Sequence, residues 1–240
     1  MENTSYIALS QQNALQRQME IIANNIANAN TTAFKGERLL FNEFLVRAEP
    51  TVDLSYVVDG ASVRDQREGG FQRTGNDLDV ALDGVGYLVV DTPAGPRYTR
   101  NGHLRLDARN QVTTGEGRPV LADNGRPIII PPNDTKIVIA ADGTVSTETG
   151  RLAKLDLVRF DNERGLEKVA DSLYVANVRP RPATQVKVVQ GMVEESNVQP
   201  ILEITQMIEV LRRYQTAQHL IEGENDRIRK AIDRLPRVNG

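Results

Sequence analysis

Glycine and proline are absent from residues 1–35 and again from 201–222 of this 240-residue chain, and they crowd the stretch between. The prolines run from Pro50 to Pro200 with one more at Pro236, and fifteen of the eighteen glycines lie between Gly60 and Gly191. A helix interior tolerates these two residues least. Both ends therefore read as long helices and the middle as short strands and turns. A globular enzyme seldom keeps its most regular helices at its extremities. A subunit that builds a filament by bundling terminal helices does.

From Met207 the seam positions run Met207, Leu211, Tyr214, Gln218, Ile221, Asn225, Ile228, Ile232 and Leu235. The steps alternate four and three, the a/d seam of a coiled coil, narrower than the stripe of a globular helix. Ser196 or Asn197 is placed to cap this helix, Pro200 suits its first turn, and Leu235-Pro236 stops it. From Ile201 to Leu235 it would extend roughly 50 Å. Polar seam residues such as Gln218 and Asn225 lower stability but fix register or partner number. The same spacing also suits a surface helix packed on its own domain.

The N-terminal segment tips that balance. Leu15, Met19, Ile22 and Ile26 repeat the four-three-four spacing, Ala8, Ala29 and Ala33 carry its phase outward, and Thr4 or Ser5 is the expected cap. Residues 24–30 hold four asparagines in seven positions. Asparagine favours caps and turns, so an isolated helix would not choose it repeatedly. Ala23 and Ala27, four apart, let a partner backbone approach. Asn24 and Asn28, also four apart, are placed to hydrogen-bond to that partner. Asn30-Thr31-Thr32 reads as a turn. The expected subunit interface is thus Leu15, Met19, Ile22, Ala23, Asn24, Asn25, Ile26, Ala27 and Asn28 with Met207, Leu211, Tyr214, Gln218, Ile221, Asn225, Ile228 and Ile232.

Between Gly75 and about Pro180 the period changes to two. Leu78, Val80 and Leu82 alternate, and Tyr87-Leu-Val-Val90 is a short buried-type run. Asn101-Gly102 predicts a tight hairpin between 97–99 and 103–106, and Asn124-Gly125 and Asp142-Gly143 repeat that punctuation near Ile128–Ile130 and Lys136–Ile139. Leu152–Phe160, Leu173–Val178 and Gln185–Val189 supply further strands, and Pro180-Arg-Pro182 is expected to end the domain. Many short strands with frequent turns argue for an antiparallel β domain. The fold class is α+β: a discontinuous, coiled-coil-like helical domain from both termini with an inserted antiparallel β domain. Its expected parts are an axial helix over 1–35, a connector over 36–74 in which Phe41, Phe44 and Leu45 pack locally, the β domain over 75–182, a return connector over 183–200, and the second axial helix over 201–240.

Chemistry is hard to find. Asp83-Gly-Val-Gly86 lacks the third glycine and the following helix of a dinucleotide fingerprint and reads as a tight turn. Asp107-Ala-Arg-Asn-Gln111 carries Arg109 where a calcium loop needs a ligand, and reads as a hairpin turn. His103 and His219 have no neighbouring histidine or cysteine. Asp77, Asp79 and Asp83 would share the face opposite Leu78, Val80 and Leu82, an ordinary half-exposed strand with no cleft for paired carboxylates. No catalytic residue, cofactor or metal site is expected. With zero cysteines, thiol catalysis and disulfides are excluded. Net charge of −3 with mixed signs leaves no basic stripe for nucleic acid. No run approaches the ~20 apolar residues of a membrane span, and Met-Glu-Asn-Thr-Ser lacks the basic start of a cleaved secretory signal.

Three segments in order are similar to the bacterial flagellar rod and hook family. Ile22-Ala-Asn-Asn-Ile-Ala-Asn-Ala-Asn-Thr-Thr-Ala-Phe-Lys35 resembles its N-terminal signature, with Ala33 where the family most often has glycine. Thr74-Gly-Asn-Asp-Leu-Asp-Val-Ala-Leu-Asp-Gly-Val-Gly-Tyr-Leu-Val-Val90 with Tyr98-Thr-Arg-Asn-Gly102 resembles the opening of its central β domain. Gln190-Gly-Met-Val-Glu-Glu-Ser-Asn-Val198 and Met207-Ile-Glu-Val-Leu-Arg-Arg-Tyr-Gln215 resemble its closing helix and lead-in. The resemblance implies a structural subunit of the basal-body rod, self-associating in a helical tube with other rod subunits as part of a periplasmic drive shaft. It also implies delivery by the flagellar type III export apparatus without signal cleavage. Hook subunits are usually longer, so the length favours a rod subunit with one β domain. Two other readings stand beside it: a wall-glycan hydrolase, which has only the aspartate cluster to work with, and a coiled-coil adaptor whose β domain binds a ligand. Assembly separates them, since a helical tube is open-ended and an adaptor closes as a dimer or trimer.

Overall fold

The computed structural model describes residues 2–47, 53–134, 136–169 and 172–233, with the side chains of 2–7, 41–61, 231 and 232 outside that description. The chain begins with helix α1 (Glu2–Ala27) and ends with helix α2 (Pro200–Asp233). Between them lie β1 (Glu37–Arg47), β2 (Asp53–Arg64), β3 (Phe71–Arg73), β4 (Val80–Asp83), β5 (Tyr87–Val90) and β6 (Arg97–Thr99). They are followed by β7 (Leu104–Leu106), β8 (Val112–Thr114), β9 (Ile137–Ile139), β10 (Thr144–Thr147), β11 (Gly150–Lys154) and β12 (Leu157–Arg159). The last are β13 (Leu166–Lys168), β14 (Tyr174–Ala176), β15 (Arg181–Pro182), β16 (Lys187–Gln190) and β17 (Met192–Glu194). Every strand pairing is antiparallel, so the α+β class holds.

The chain forms two compact units. The first comprises Met1–Ala27, Glu37–Asp65 and Gln199–Gly240. It holds α1, α2 and the long β1–β2 hairpin, in a segment read from sequence as a connector. The hairpin's register steps from Leu39↔Ser62 to Phe41↔Asp59, so Leu40 faces both Gly60 and Ala61 in a β-bulge. The local packing expected of Phe41, Phe44 and Leu45 lies outside the described side chains. Helix starts also differ from expectation. Because α1 already begins at Glu2, Thr4 and Ser5 are inside it. The cap of α2 is Gln199, whose carbonyl accepts from Leu202 and Glu203 N–H at 3.1 Å each. Asn197 has other work: its Oδ1 accepts from Gly36 N at 2.8 Å and its Nδ2 donates to Arg67 O at 2.9 Å. The end of α2 proposed at Leu235-Pro236 lies outside the described residues.

The second unit comprises Asn28–Gly36 and Gln66–Val198. Its largest sheet has the order β13-β14-β6-β5-β12-β15, beside a three-stranded sheet β11-β10-β9 and the pairs β16-β4, β17-β3 and β7-β8. Strand β5 shows how the sequence builds two layers. Leu88 and Val90 enter the main aliphatic core with Val80, Leu82, Leu104, Val120, Ile128 and Leu155. Tyr87 and Val89, on the opposite face, join Tyr98, Phe160 and Tyr174. Edge-to-face contacts hold that second layer, with ring centroids 4.8 Å apart for Tyr98–Phe160 and 5.7 Å for Tyr87–Tyr174.

Several local expectations are corrected. Leu78, Val80 and Leu82 do not alternate with solvent-facing neighbours, because β4 is covered on both sides and Val80, Ala81 and Leu82 are all fully buried. Asn101-Gly102 makes no hairpin: β6 pairs with β5 and β14, whereas β7 pairs with β8. The other two Gly turns do close, with Gly125 N–H bonding Ala122 O and Gly143 N–H bonding Ala140 O. Pro180-Arg-Pro182 does not end the domain. Arg181 and Pro182 form edge strand β15 on β12, a position where a missing N–H is tolerated. The chain then adds β16 and β17, which pair back onto β4 and β3.

Ala33 sits in left-handed backbone, φ 56°, and is buried, with its N–H donating to Glu194 O at 2.7 Å. A non-glycine residue there carries roughly 1–2 kcal/mol of strain. Glycine would relieve it but forfeit about 0.8 kcal/mol of methyl burial and gain chain entropy when unfolded. Ala33→Gly is therefore expected to leave the urea midpoint nearly unchanged. Ala33→Val, whose branched side chain cannot occupy this region comfortably, should lower it clearly. Equal midpoints for both would mean the turn is not left-handed.

Candidate assembly surface

Helices α1 and α2 run antiparallel, because Asn25 near the C-terminal end of α1 reaches Glu203 in the first turn of α2, Nδ2 to Oε2 at 3.3 Å. Leu15, Ile22 and Val210 are buried between them, and Met19, Ile26, Met207 and Tyr214 pack around these three. Ala8, Ala14 and Ala217 are buried too. The inner face of α2 reads Glu203, Met207, Val210, Tyr214, Ala217, Ile221 and Glu224, the positions that lose exposure. It shares Met207, Tyr214 and Ile221 with the seam read from sequence. The alternate positions differ by one residue: Val210 and Ala217 point inward, while Leu211, Gln218, Asn225 and Ile228 are exposed. The Ile232 side chain lies outside the described residues.

The asparagine stretch divides by role. Asn25 is buried, and its amide pairs with the backbone of Glu37 in both senses: Nδ2 donates to Glu37 O at 2.9 Å and Oδ1 accepts from Glu37 N at 3.0 Å. Asn28 is half-buried at the turn that ends α1, where its Oδ1 accepts from the Thr31 hydroxyl at 3.2 Å and its carbonyl from Thr31 N–H at 3.0 Å. Ala23, Asn24 and Ala27 are exposed. Of the nominated residues, the isolated chain therefore uses Leu15, Met19, Ile22, Asn25, Ile26, Met207 and Tyr214 for its own packing. It presents Ala23, Asn24, Ala27, Leu211, Gln218, Asn225 and Ile228 to the outside.

A second construction, in the β-rich unit, was not nominated from sequence. Glu194 is fully buried on β17. Its Oε1 accepts from Lys35 Nζ at 2.5 Å and Gly69 N at 3.1 Å, and its Oε2 from Arg100 Nε at 2.8 Å. The Arg100 guanidinium also donates to the carbonyls of Leu82, Gly84 and Gly86 and to Glu68 Oε1, which uses all five of its N–H groups. Lys35 adds a bond to Arg67 O at 2.7 Å. Burial pushes the Lys35 ammonium below the usual lysine range, against the upward pull of Glu194. Sequence carried little signal for it: Lys35 and Glu194 each stand within a family-like motif, but next to Gly36-Glu37 and Glu195-Ser196, where neither charge looks out of place.

The aspartates do not share a face. Asp77 and Asp83 are exposed, whereas Asp79 is buried, with Oδ1 2.8 Å from His103 Nδ1 and accepting from Asn76 Nδ2 at 3.2 Å. Gly84 and Gly86 belong to the β4–β5 turn, and a Cβ on Gly86 would lie 2.7 Å from Val186 Cγ2. Asp107 Oδ1 accepts from Arg109 and Gln111 N–H at 2.8 Å each, closing the β7–β8 hairpin turn. Among the described residues no group of histidine and carboxylate side chains is arranged to hold a metal, and no helix is long and apolar enough to cross a membrane.

Three family descriptions match successive parts of the chain: "Flagella basal body rod protein" over 6–35, "Flagellar hook protein FlgE/F/G D1 domain" over 81–147, and "Flagellar basal body rod FlgEFG protein C-terminal" over 189–234. The chain is 37% identical to the flagellar basal-body rod protein FlgF of Caulobacter vibrioides, with all of both chains covered. Identity to the FlgF of Rhizobium meliloti is 34% over 98% of each. To the FlgG of Bacillus subtilis it is 29%, covering 97% of this chain and 99% of the relative.

Proposed function

The chain belongs to the flagellar basal-body rod family, and from that premise we propose that it polymerises through its terminal helices into part of the periplasmic drive shaft. It is a structural subunit of the rod and not an enzyme. The observation that carries the mechanism is a division of labour on two helices: one seam closes α1 on α2, and a face of α1 with Ala23, Asn24 and Ala27 and a face of α2 with Leu211 and Gln218 remain outside it. A discontinuous, coiled-coil-like helical domain with an inserted β domain explains that arrangement. The inner seam makes each subunit's pair of helices. The residues left exposed, Ala23, Asn24, Ala27, Leu211, Gln218, Asn225 and Ile228, meet neighbouring rod subunits and further copies of the chain. Delivery by the flagellar export apparatus, without cleavage of the N-terminus, completes the reading.

Length and a single β domain favour the proximal rod protein F over the distal rod protein G. Relatives named FlgF match at 32–37% identity and those named FlgG at 28–31%. The test is an epitope tag in the exposed 3-10 turn Glu163–Gly165 of a chain that supports swimming. Label is expected at one height in the rod of isolated basal bodies, on the cytoplasmic-membrane side of the distal rod. Label on the hook, or none in basal bodies, would overturn the placement. A closed dimer or trimer as the only assembly would favour the adaptor reading.

A further inference from the structure

Segment Asn28–Gly36 follows α1 but belongs to the β-rich unit, and the chain returns to the helical unit at Glu37. Its tip is deeply seated: Ala33, Phe34 and Lys35 are 3%, 2% and 5% exposed. Ala33 N–H donates to Glu194 O at 2.7 Å, Phe34 O accepts from Asn197 N–H at 3.2 Å, and Gly36 N–H donates to Asn197 Oδ1 at 2.8 Å. Lys35 Nζ reaches both Glu194 Oε1 and Arg67 O. Lys168 Nζ lies over the Phe34 ring, 4.0 Å from its centroid.

We propose that this segment is a latch that opens on its own in the free subunit and closes when the subunit joins the rod, a device that deepens, and rests on, the rod-subunit reading above. The first support is that its seat survives without it. When Lys35 withdraws, the Glu194 carboxylate keeps Arg100 Nε and Gly69 N–H. Arg100 in turn keeps the carbonyls of Leu82, Gly84 and Gly86. The walls of the seat are held independently, by the pairing of β17 with β3 and by Glu195 N–H on Gly70 O at 2.7 Å. Opening therefore strands no buried charge, and the β-rich unit has no cause to unfold with the latch.

The second support is that the latch is built to let go. Ala33 is held at φ 56°, and opening relieves that strain. Lys35 regains the water that burial denies its ammonium. The Phe34 ring gives up its burial, which holds the closed state against these two gains. Closure is tied to order at the ends of the segment. In the helical unit the Asn25 amide pairs with both Glu37 N–H and Glu37 O, so the two flanks stand together once α1 and β1 are formed. Pinning the ends of a loop removes part of the entropy that its docking would otherwise cost. Packing of α1 in the rod therefore favours the closed latch.

The chain has no cysteine, so a single introduced thiol reports opening directly. In the isolated full chain, Ala33→Cys should react with a soluble thiol reagent about tenfold or more faster than Ala81→Cys, a fully buried strand position reached only when the β-rich unit unfolds. Lys35→Ala, which removes the charged hydrogen bonds of the latch, should speed labelling at 33 by about tenfold or more and leave 81 nearly unchanged. Native-state hydrogen exchange makes the same comparison without substitution, with Ala33 N–H exchanging faster than Val80 N–H. In isolated basal bodies the thiol at 33 should be protected. Three results would overturn the inference: equal labelling and exchange at the latch and in β4, acceleration of both thiols alike by Lys35→Ala, or labelling at 33 as fast in basal bodies as in the free chain. Failure of the rod-subunit reading looks different, because the chain would then be missing from basal bodies while the two rates in the isolated chain still separate.

Discussion

Glu194→Gln is expected to destabilise the β-rich unit by about 3–5 kcal/mol, the range seen when one partner of a buried ion pair is removed. The substitution keeps the shape of the side chain and deletes the charge that faces both Lys35 and Arg100. Arg100 cannot shed its proton, and its Nε–H would be left against a neutral amide. Lys35 can shed its proton, and this gives the variant a signature in pH. A lysine whose folded-state pKa lies below its unfolded value makes the folded state bind fewer protons across the interval between them, so stability rises with pH there. Burial already pushes Lys35 in that direction while Glu194 opposes it. Without Glu194 the interval widens. The deficit of Glu194→Gln should therefore shrink as pH is raised toward the usual lysine range, and Lys35→Met/Glu194→Gln should lose that pH dependence. Urea titrations of the full chain at neutral and alkaline pH decide it. A deficit under 1 kcal/mol, or one that is flat with pH in the single variant, would mean that the cluster is solvated.

The cluster also explains which parts of the fold were legible. Terminal helices, strand-rich middle and fold class follow from where glycine and proline fall, because helix propensity is local. The partner of a buried charge is not local. Lys35 and Glu194 stand 159 residues apart, and nothing in their neighbourhoods announces the pairing. The same limit displaced the helix seam by one residue. Leu211 is the better apolar residue, so pattern alone selects it, but the packing of α1 on α2 buries Val210 and Ala217 and leaves Leu211 exposed. Hairpin β1–β2 had no clear signal, because residues 37–47 and 53–64 mix Phe41, Phe44, Tyr56, Val57 and Val58 with charged residues and are scarcely richer in strand formers than the rest of the chain. Asn25 stands in the expected subunit interface only as part of the asparagine stretch, within which Asn24 and Asn28 are the residues expected to hydrogen-bond to a partner. The need for Asn25 lies inside the chain, where its amide completes the hydrogen bonds of Glu37.

Gly102→Ala is the second large effect, expected at roughly 3 kcal/mol or more, the upper end of what overpacking costs. The same Asn-Gly dipeptide occurs at 101–102 and 124–125, and sequence gives no reason to separate them. Gly125 has φ +74° with open space around it, so alanine there meets only the left-handed strain of about 1–2 kcal/mol. Gly102 does not have positive φ. Its constraint is proximity: a Cβ would lie 1.8 Å from Val80 O and 2.8 Å from Val80 C, both backbone atoms of a strand with no room to move. The Val80 N–H to Gly102 O hydrogen bond, 2.9 Å long, holds the two segments at that separation. Relief requires shifting the loop that also carries Arg100, so the loss should spread to the Glu194 cluster and appear as non-additivity with Glu194→Gln, the double variant costing less than the sum. Chemical denaturation of Gly102→Ala, Gly125→Ala and the double variant measures all three quantities. If Gly102→Ala is no worse than Gly125→Ala, residue 102 is an ordinary turn glycine and the β6–β7 segment does not press against β4.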